Sequence, residues 1–422
     1  MKKVEEKVIS TVERLKDELI STTRELIRIP TINPPGENYE ECVCYLSDVL
    51  NQAGLKVQVV QVPKAKLDEF APLGNGLPRL NLLAELSGNS EKKALHFNGH
   101  YDVVPATDNW KVPPFKAVVK DGRIYGRGSS DMKGAIASMV IAAKALVESD
   151  VDLNGLLQIS AVPDEETDGL GGSSFIIKEG KVKADYCIIG EPSGVNNIWN
   201  AHKGTLWMQI ETIGRAAHGS QPWLGINAFE EMVQIVNAVH KELKPVLAKK
   251  ISAYPTIPPQ GQVATINIGG FVQTGKAVNI VPDRCLLSID RRLIPEENLD
   301  EAKKEIRDIL RKLQRKDPSL KPKIRTLSQF NACLTPADSL VCTTTTKTVE
   351  EITGKKPTTT MCIGGLDMRY FVDAGIPSVA YGPGDLRLAH TVNEHVEIKE
   401  LVTAAKVYAL VAMKLLGTTD SF

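Results

Sequence analysis

The sequence lacks a long apolar run, and neither sign of charge is in excess. No stretch approaches the roughly 20 apolar residues that a membrane-spanning helix needs. Residues 1–7 carry charges of both signs where a secretory signal would be apolar. We therefore expect a cytoplasmic chain without a membrane partner. Because the 51 basic and 51 acidic side chains cancel, we expect a small-molecule partner and no nucleic acid.

Cysteine is also scarce. The seven cysteines are odd in number and scattered through apolar segments, a pattern more typical of buried thiols in a reducing compartment than of a disulfide framework. Cys42 and Cys44 have the spacing of a metal clip, but they lie in a helical pattern and no second pair completes a site. We interpret both as core residues.

The chain is long enough for two domains, since a single hydrophobic core rarely serves more than about 300 residues and this chain has 422. Apolar segments at residues 94–100, 156–162 and 184–189 are predicted strands, and small residues at 134–149 form a helical pattern. Strands that alternate with helices predict an α/β fold with a mostly parallel sheet and flanking helices.

The pattern changes between residues 203 and 324. Its order of strand, helix, two strands and helix predicts a two-layer α+β domain inserted into the larger one. The expected division is therefore residues 1–202 with 325–422 for the first domain and 203–324 for the second. We interpret the basic residues in 311–325 as the solvated face and exit of the last helix of the inserted domain.

Residues that can bind metal follow the predicted strands where each strand ends. Open α/β sheets bind their ligands in the crevice at these strand ends. Two further candidates are an aspartate that opens a helix after a glycine-rich turn and a histidine late in the chain. The candidate ligands are His100, Asp131, Glu166, Glu191 and His390.

Each candidate also has an ordinary structural explanation. Asp131 has the residue type of a helix N-cap, and the run Asp164, Glu165, Glu166 could be an acidic loop. However, adjacent like charges destabilise one another unless a cation or solvent relieves them. In this run one glutamate can bind metal while the other acts as a general base. Asp102 is placed to accept the second ring proton of a metal-bound imidazole.

Two imidazoles and three carboxylates are a mixed nitrogen and oxygen ligand set. This set suits two zinc ions, with cobalt or manganese as substitutes. One shared carboxylate leaves room for a bridging water. The four histidines without an assigned role are interpreted as core or surface residues: His96, His202, His240 and His395.

Taken in order, several motifs resemble the metallopeptidase family of acetylornithine deacetylase, succinyl-diaminopimelate desuccinylase, aminoacylase and bacterial glutamate carboxypeptidase. The resemblance covers nearly the whole chain and is closest to the deacetylase and desuccinylase branch, which acts in amino-acid biosynthesis. The motifs are RIPTINPPG (28–36), GHYDVVP (99–105), YGRGSSDMKG (125–134), DEE (164–166), GPG (382–384) and His390.

The resemblance implies roles for the candidate ligands. His100 and Glu191 would hold one zinc, Glu166 and His390 the other, and Asp131 would bridge the two. Asp102 would orient His100, and Glu165 would be the general base that takes a proton from the bridging water. All of these positions are retained in the sequence.

The inserted domain resembles the family's lid and dimerisation domain, which implies a homodimer. His218 would reach the partner's site and polarise the scissile carbonyl. Asn279 and Arg292 would hold the substrate carboxylate, and Gly365 lies in a loop that resembles one near the substrate.

The implied reaction is hydrolysis of the amide of an N-acyl amino acid. A carboxypeptidase or dipeptidase, or a hydrolase of other N-acyl amides such as formyl amides, remains an alternative within the family. A catalytically inactive scaffold relative is the alternative of another class.

Overall fold

The structure, a computed structural model, describes residues 3–90 and 93–419. The chain forms two compact units. The first comprises the chain up to Asn200, the segment Thr335–Thr359 and the chain from Leu366 onward, and the second comprises Ala201–Leu334 and Thr360–Gly365.

The helices are numbered in chain order. They are α1 (Lys3–Arg14), α2 (Lys16–Arg28), α3 (Tyr39–Gln52), α4 (Leu67–Phe70), α5 (Gly134–Glu148), α6 (Phe175–Lys178), α7 (Ala228–Ala238), α8 (Lys244–Leu247), α9 (Leu299–Lys316), α10 (Leu340–Thr353), α11 (Met368–Asp373) and α12 (Ile398–Leu416).

The strands are numbered in the same way. They are β1 (Lys56–Gln61), β2 (Leu80–Ser87), β3 (Ala94–His100), β4 (Val118–Lys120), β5 (Arg123–Tyr125), β6 (Leu156–Val162), β7 (Tyr186–Ile189), β8 (Asn197–His202), β9 (Gly204–Ile213), β10 (Thr265–Thr274), β11 (Arg284–Leu293), β12 (Lys323–Phe330), β13 (Cys333–Leu334), β14 (Thr358–Cys362), β15 (Ser378–Ala380) and β16 (His395–Glu397).

The main sheet of the first unit has the order β1-β2-β6-β3-β7-β15-β8. Its central strands β6, β3, β7 and β15 are parallel, and β2 and β8 join them antiparallel. Every residue of β3 and β6 is buried, as expected for parallel strands that are covered on both faces. The predicted α/β fold is confirmed. The carboxyl ends of the four parallel strands meet at one edge of the sheet.

Two long helices contribute much of the core of the first unit. The small side chains of α5 are almost all buried, as is most of α12. Small residues let helix backbones approach closely, and the Ser138 hydroxyl of α5 donates to the Leu401 carbonyl of α12 over 3.1 Å. This packing fixes the start of α5, three residues after Asp131.

The second unit contains a four-stranded antiparallel sheet with the strand order β10-β11-β9-β12. A separate core forms where α7 and α9 pack against the sheet. The sequence does not predict β12, and the interpretation of residues 323–325 as part of a helix exit is wrong. This edge strand exposes Lys323, Arg325 and Leu327, so its sequence carries little apolar signal.

Among residues 3–90 and 93–419, no helix is long and apolar enough to cross a membrane. None of the seven cysteines is in a disulfide, and six of them are buried. Cys44 is exposed, so its interpretation as a core residue is wrong. Residues two positions apart on a helix point in different directions, which explains why Cys42 is buried and Cys44 is not.

Candidate metal centre

His100 lies at the carboxyl end of β3 and is buried. Its Nδ1 is 3.1 Å from the Asp102 carbonyl oxygen and 3.5 Å from Asp102 Oδ1. Its Nε2 faces Asp131 Oδ1 at 3.1 Å and Glu191 Oε1 at 3.9 Å. One ring nitrogen is therefore held by Asp102, just beyond the end of the strand, and the other points towards carboxylates from two other segments.

Asp131 lies between the two candidate histidines. While Oδ1 faces His100, Oδ2 lies 3.4 Å from His390 Nε2. Burial would raise the pKa of this carboxyl, but hydrogen bonds from both imidazoles hold it well below its usual value. A carboxylate whose two oxygens face two different imidazoles has the geometry of a bridging ligand.

The turn after β6 carries two half-buried glutamates, Glu165 and Glu166. The backbone N–H groups of Glu165 and Glu166 donate to the two oxygens of Asp102 over 3.3 and 3.2 Å. Both Glu166 oxygens contact His390 Nε2, at 2.9 and 3.1 Å. Hydrogen bonds to Asp131 and Glu166 raise the pKa of His390 to about 11.

Two groups of ligand atoms result, all from the first unit. His100, Glu165 and Glu191 offer atoms within 4.8 Å of one another, and so do Asp131, Glu166 and His390. The sequence-based pairs of His100 with Glu191 and of Glu166 with His390 thus lie together. Glu165, expected as a base, lies in the first group.

These residues fit a pair of divalent cations. Burial raises the pKa of Glu191 to about 8, with a further contribution from Asp131. Its Oε1 is buried and has no hydrogen-bond partner among the described residues. A buried carboxylate oxygen without a donor destabilises the fold unless a cation meets it. Mixed imidazole and carboxylate donors are the ligands that zinc accepts.

Sequence reasoning missed an ion pair that supports Asp131. Glu394 accepts from the backbone N–H groups of Ser130 and Asp131 through Oε1, over 3.0 and 3.1 Å, and from Arg127 through Oε2 over 2.6 Å. Glu394 and Arg127 are buried. Glu394 lies four residues after His390, so the pair ties the segments of two ligands together. The signal in the sequence that could have indicated this pair was an acidic residue, Glu394, close after the candidate ligand His390.

A further buried carboxylate, Asp367, lies in the glycine-containing loop that includes Gly365. Burial raises the pKa of Asp367, while the Arg369 guanidinium lowers it. Its charge in turn contributes to the raised pKa of Glu165 and of Glu191. Asp367 therefore contributes a negative charge at Glu165 and Glu191 that the predicted ligand set does not include.

The remaining predicted site residues belong to the second unit. The His218 backbone forms an isolated bridge with Ile280, and the Gly219 N–H donates to the Asn279 carbonyl over 2.7 Å. His218 and Asn279 thus lie on adjacent loops. Both Asn279 and His218 are exposed.

Arg292 lies on β11 and is held by neighbours of its own unit. Its Nε and Nη2 donate to the two oxygens of Asp290 over 2.8 and 3.2 Å, and its Nη1 donates to the Thr205 hydroxyl over 3.0 Å. Gly365 lies against the Phe330 ring, and a Cβ at this position would be 2.4 Å from Phe330 Cζ.

Comparison with known proteins gives consistent results. Residues 96–414 match the family described as Peptidase family M20/M25/M40. The chain is 28% identical to an N-formyl-4-amino-5-aminomethyl-2-methylpyrimidine deformylase of Halalkalibacterium halodurans, over 95% of each chain. It is also 28% identical to a probable succinyl-diaminopimelate desuccinylase of Staphylococcus epidermidis, over 91% of this chain and 94% of the relative.

A solved structure shares the fold. The M20 family metallo-carboxypeptidase Sso-CP2 of Sulfolobus solfataricus superposes with a TM-score of 0.76 at 24% identity, over 94% of this chain and 99% of that one. The family match spans most of the chain and includes all five candidate ligands. The chain therefore belongs to peptidase family M20/M25/M40 and is an amide hydrolase of that family.

Proposed function

We propose that the chain hydrolyses the amide bond of an N-acyl amino acid, in the manner of an acetylornithine deacetylase or a succinyl-diaminopimelate desuccinylase. The observation that carries this proposal is the pair of ligand groups at the carboxyl edge of the sheet, which Asp131 links by contacting His100 of one group and His390 of the other. The desuccinylase relative, which aligns over most of both chains, supports the substrate class.

Two divalent cations would be held by the candidate ligands. His100 and Glu191 would hold one, Glu166 and His390 the other, and Asp131 would bridge them. We propose zinc, with cobalt or manganese as substitutes. When bound, such a pair polarises a carbonyl group and lowers the pKa of a water molecule.

Glu165 would move the proton. Burial raises the pKa of this carboxyl well above its usual value, and the Glu191 charge raises it further, so the group can hold a proton between two steps. Its carboxylate would take a proton from the attacking water as the oxygen adds to the amide carbon. It would then deliver that proton to the nitrogen of the leaving amine as the C–N bond breaks. Asp102 would orient His100 throughout.

Residues of the second unit would hold the substrate. Asp290 and Thr205 occupy three of the five N–H groups of Arg292, and the other two, on Nη1 and Nη2, can bind a substrate carboxylate. Asn279 and the loop of Gly365 would complete the contact. His218 would stabilise the oxyanion of the tetrahedral intermediate, and in a homodimer it would serve the partner's site.

Hydrolysis of a formamide on an amine that is not an amino acid is the second candidate. The deformylase relative is as similar in sequence as the desuccinylase and aligns over 95% of each chain. A carboxypeptidase or dipeptidase activity would use the same centre on a substrate with a different leaving amine. An inactive scaffold relative would not need five retained ligands and a glutamate placed as the base.

A substrate panel distinguishes these activities. The full chain, loaded with Zn²⁺ or Co²⁺, is assayed on N-acetylornithine, N-succinyl-diaminopimelate, an N-formyl aminomethylpyrimidine and several dipeptides. We expect the highest kcat/KM for one of the N-acyl amino acids. A higher value for the formamide or a dipeptide would replace our assignment with that activity. Well under one metal ion per chain and no turnover would indicate a scaffold.

A further inference from the structure

A buried ion pair lies beside the turn that carries Glu165 and Glu166. Arg79, directly before β2, donates from Nε to Asp164 Oδ2 over 2.6 Å, and the two side chains are 1% and 2% exposed. The guanidinium also donates to the carbonyls of Leu77 and Pro35, over 3.1 and 2.7 Å. Because each of the three guanidinium nitrogens donates a hydrogen bond, the pair is costly to break from one side.

Two glycines make room for this guanidinium. A Cβ on Gly36 would lie 2.8 Å from Arg79 Nη1, and a Cβ on Gly74 would lie 2.3 Å from Nη2. Gly36 ends the motif at residues 28–36, and Gly74 lies in the proline-containing segment 62–78. Neither segment contains a candidate metal ligand. A glycine of each segment lies against the Arg79 guanidinium.

Asn33, from the same motif, contacts three oxygens with one amide nitrogen. Its Nδ2 lies 2.8 Å from Asp102 Oδ2, 2.9 Å from Thr167 Oγ1 and 3.3 Å from Asp164 Oδ1. The Asn33 backbone N–H donates to the Val103 carbonyl over 2.9 Å, which fixes the amide beside the end of β3. Asn33 therefore links the carboxylate that orients His100 to both ends of the glutamate turn.

Asp164 and Asp102 together define that turn. Asp164 adopts a left-handed backbone conformation (φ 69°), and its carbonyl accepts from Thr167 N–H over 3.0 Å. Asp102 accepts from the N–H groups of Glu165 and Glu166. Because neighbouring side chains leave a turn in different directions, the orientation of this backbone decides which glutamate enters which ligand group.

We propose that Arg79 and Asn33 are positioning residues of the metal centre, which fix the turn through Asp164 and Asp102 so that Glu165 and Glu166 enter different ligand groups. The proposal rests on the proposed function in so far as Glu166 binds metal and Glu165 moves the proton. The hydrogen bonds of Arg79 and Asn33 reach the two aspartates, so both residues act on the ligands through them.

The test combines two kinds of variant. Two Tyr→Phe variants each remove one buried hydroxyl, and two alanine variants remove the proposed positioning side chains. Tyr39→Phe removes a hydroxyl that donates to Asp164 Oδ1 over 3.1 Å. Tyr101→Phe removes a buried hydroxyl that donates to the Leu80 carbonyl over 2.6 Å, and the two rings pack edge to face with centroids 5.0 Å apart. Asn33→Ala and Arg79→Ala test the proposed residues directly.

Metal retention is measured by titrating each Zn²⁺-loaded full chain with a chelator, and kcat and KM are measured on the best substrate of the panel. For Asn33→Ala and Arg79→Ala we expect one zinc equivalent to be held roughly 10–100-fold less tightly. We expect kcat to fall over a similar range while KM stays within about threefold, since substrate contacts are unchanged. Tyr39→Phe should show the same pattern more weakly, and Tyr101→Phe should match wild type.

Chemical rescue distinguishes a positioning role of the Arg79 charge from a merely structural role of the side chain. Guanidinium ion at millimolar concentration should restore kcat and metal retention in Arg79→Ala, and urea, of the same shape but neutral, should not. Wild-type metal retention and kcat in folded Asn33→Ala and Tyr39→Phe, with only a lower Tm, would overturn the proposal, even if Arg79→Ala failed to fold. If no panel substrate turns over, the chelator titration still decides the positioning role separately from the proposed function.

Discussion

Glu165 and Glu166 are adjacent residues of one type, and their surroundings give them different properties. Burial raises the pKa of both side chains. For Glu166, contact with His390 works in the opposite direction and favours the carboxylate. For Glu165, the Glu191 charge adds to the effect of burial. A ligand needs a stable carboxylate, and a general base needs a pKa near the working pH. The two environments match these two roles.

Glu165→Gln tests this division of roles at the level of one residue. The amide keeps the size of the side chain but cannot take a proton, so kcat should fall by roughly 10²–10⁴-fold. Metal content, measured by elemental analysis, should remain at two ions per chain. Glu191→Gln is the comparison, and it should lose metal as well as activity. Loss of a metal ion in Glu165→Gln would instead make Glu165 a ligand, as its place in the first ligand group would allow.

At the level of elements, the sequence predicts those site residues that directly follow a strand. Apolar strands are visible in the sequence, so the sequence alone places the residues that follow β3, β6 and β7 at one sheet edge. Glu394, Arg79 and Asn33 could not be placed in this way. Their contacts join segments that are distant in sequence and have no shared periodicity, so only the folded backbone brings them together. Strand β12 was missed for a different reason: its three apolar residues, Ile324, Leu327 and Phe330, are spaced three apart and do not alternate as in a half-buried strand.

Strand β3 also carries His96, for which the sequence allows a core or a surface position, and the residue lies in the core. His96 is fully buried, its Nδ1 lies 2.9 Å from Gln158 Oε1, and its Nε2 lies 2.7 Å from the Ser160 hydroxyl. Burial lowers its pKa from 6.5 to about 4. The ring thus stays neutral in the folded strand at pH values where it is protonated in the unfolded chain.

This difference predicts a pH-dependent contribution to stability. A group whose pKa is lower in the folded state stabilises the fold fully above the unfolded pKa, and the stabilisation is lost as pH falls from about 6.5 towards 4. Between pH 7.5 and pH 5, His96 should cost the wild type about 2 kcal/mol of unfolding free energy. His96→Gln should be less stable at pH 7.5 but should lack this part of the pH dependence. Urea unfolding of both proteins at the two pH values measures the difference, and equal slopes with pH would contradict the prediction.

For the whole molecule, the question is whether one chain makes a complete site. The second unit exposes large apolar side chains, among them Trp223 (73%), Leu224 (54%) and Phe229 (43%). These three side chains lie close together in sequence, within residues 223–229. Exposed apolar surface is typical of contacts with another protein, which supports the proposed homodimer. Size-exclusion chromatography with light scattering should give a mass of twice 46.0 kDa.

Mixing two inactive variants tests whether His218 acts in the partner's site. Glu165→Ala removes the proposed base, and His218→Ala removes the proposed oxyanion donor, so each homodimer should be nearly inactive. If His218 serves the partner, a mixed dimer contains one site with an intact Glu165 from one chain and an intact His218 from the other. Random pairing makes half of the dimers mixed, each with one working site of two, so activity should return to about a quarter of wild type.

The opposite arrangement gives a different result in the same experiment. If His218 serves its own chain, every site in the mixture lacks one of the two groups, and no activity returns. Co-expression of the two variants with different affinity tags isolates the mixed dimer, in which the expected activity per dimer rises to about half of wild type. An inactive mixed dimer of correct mass and full metal content would place His218 in its own chain's site or outside the chemistry.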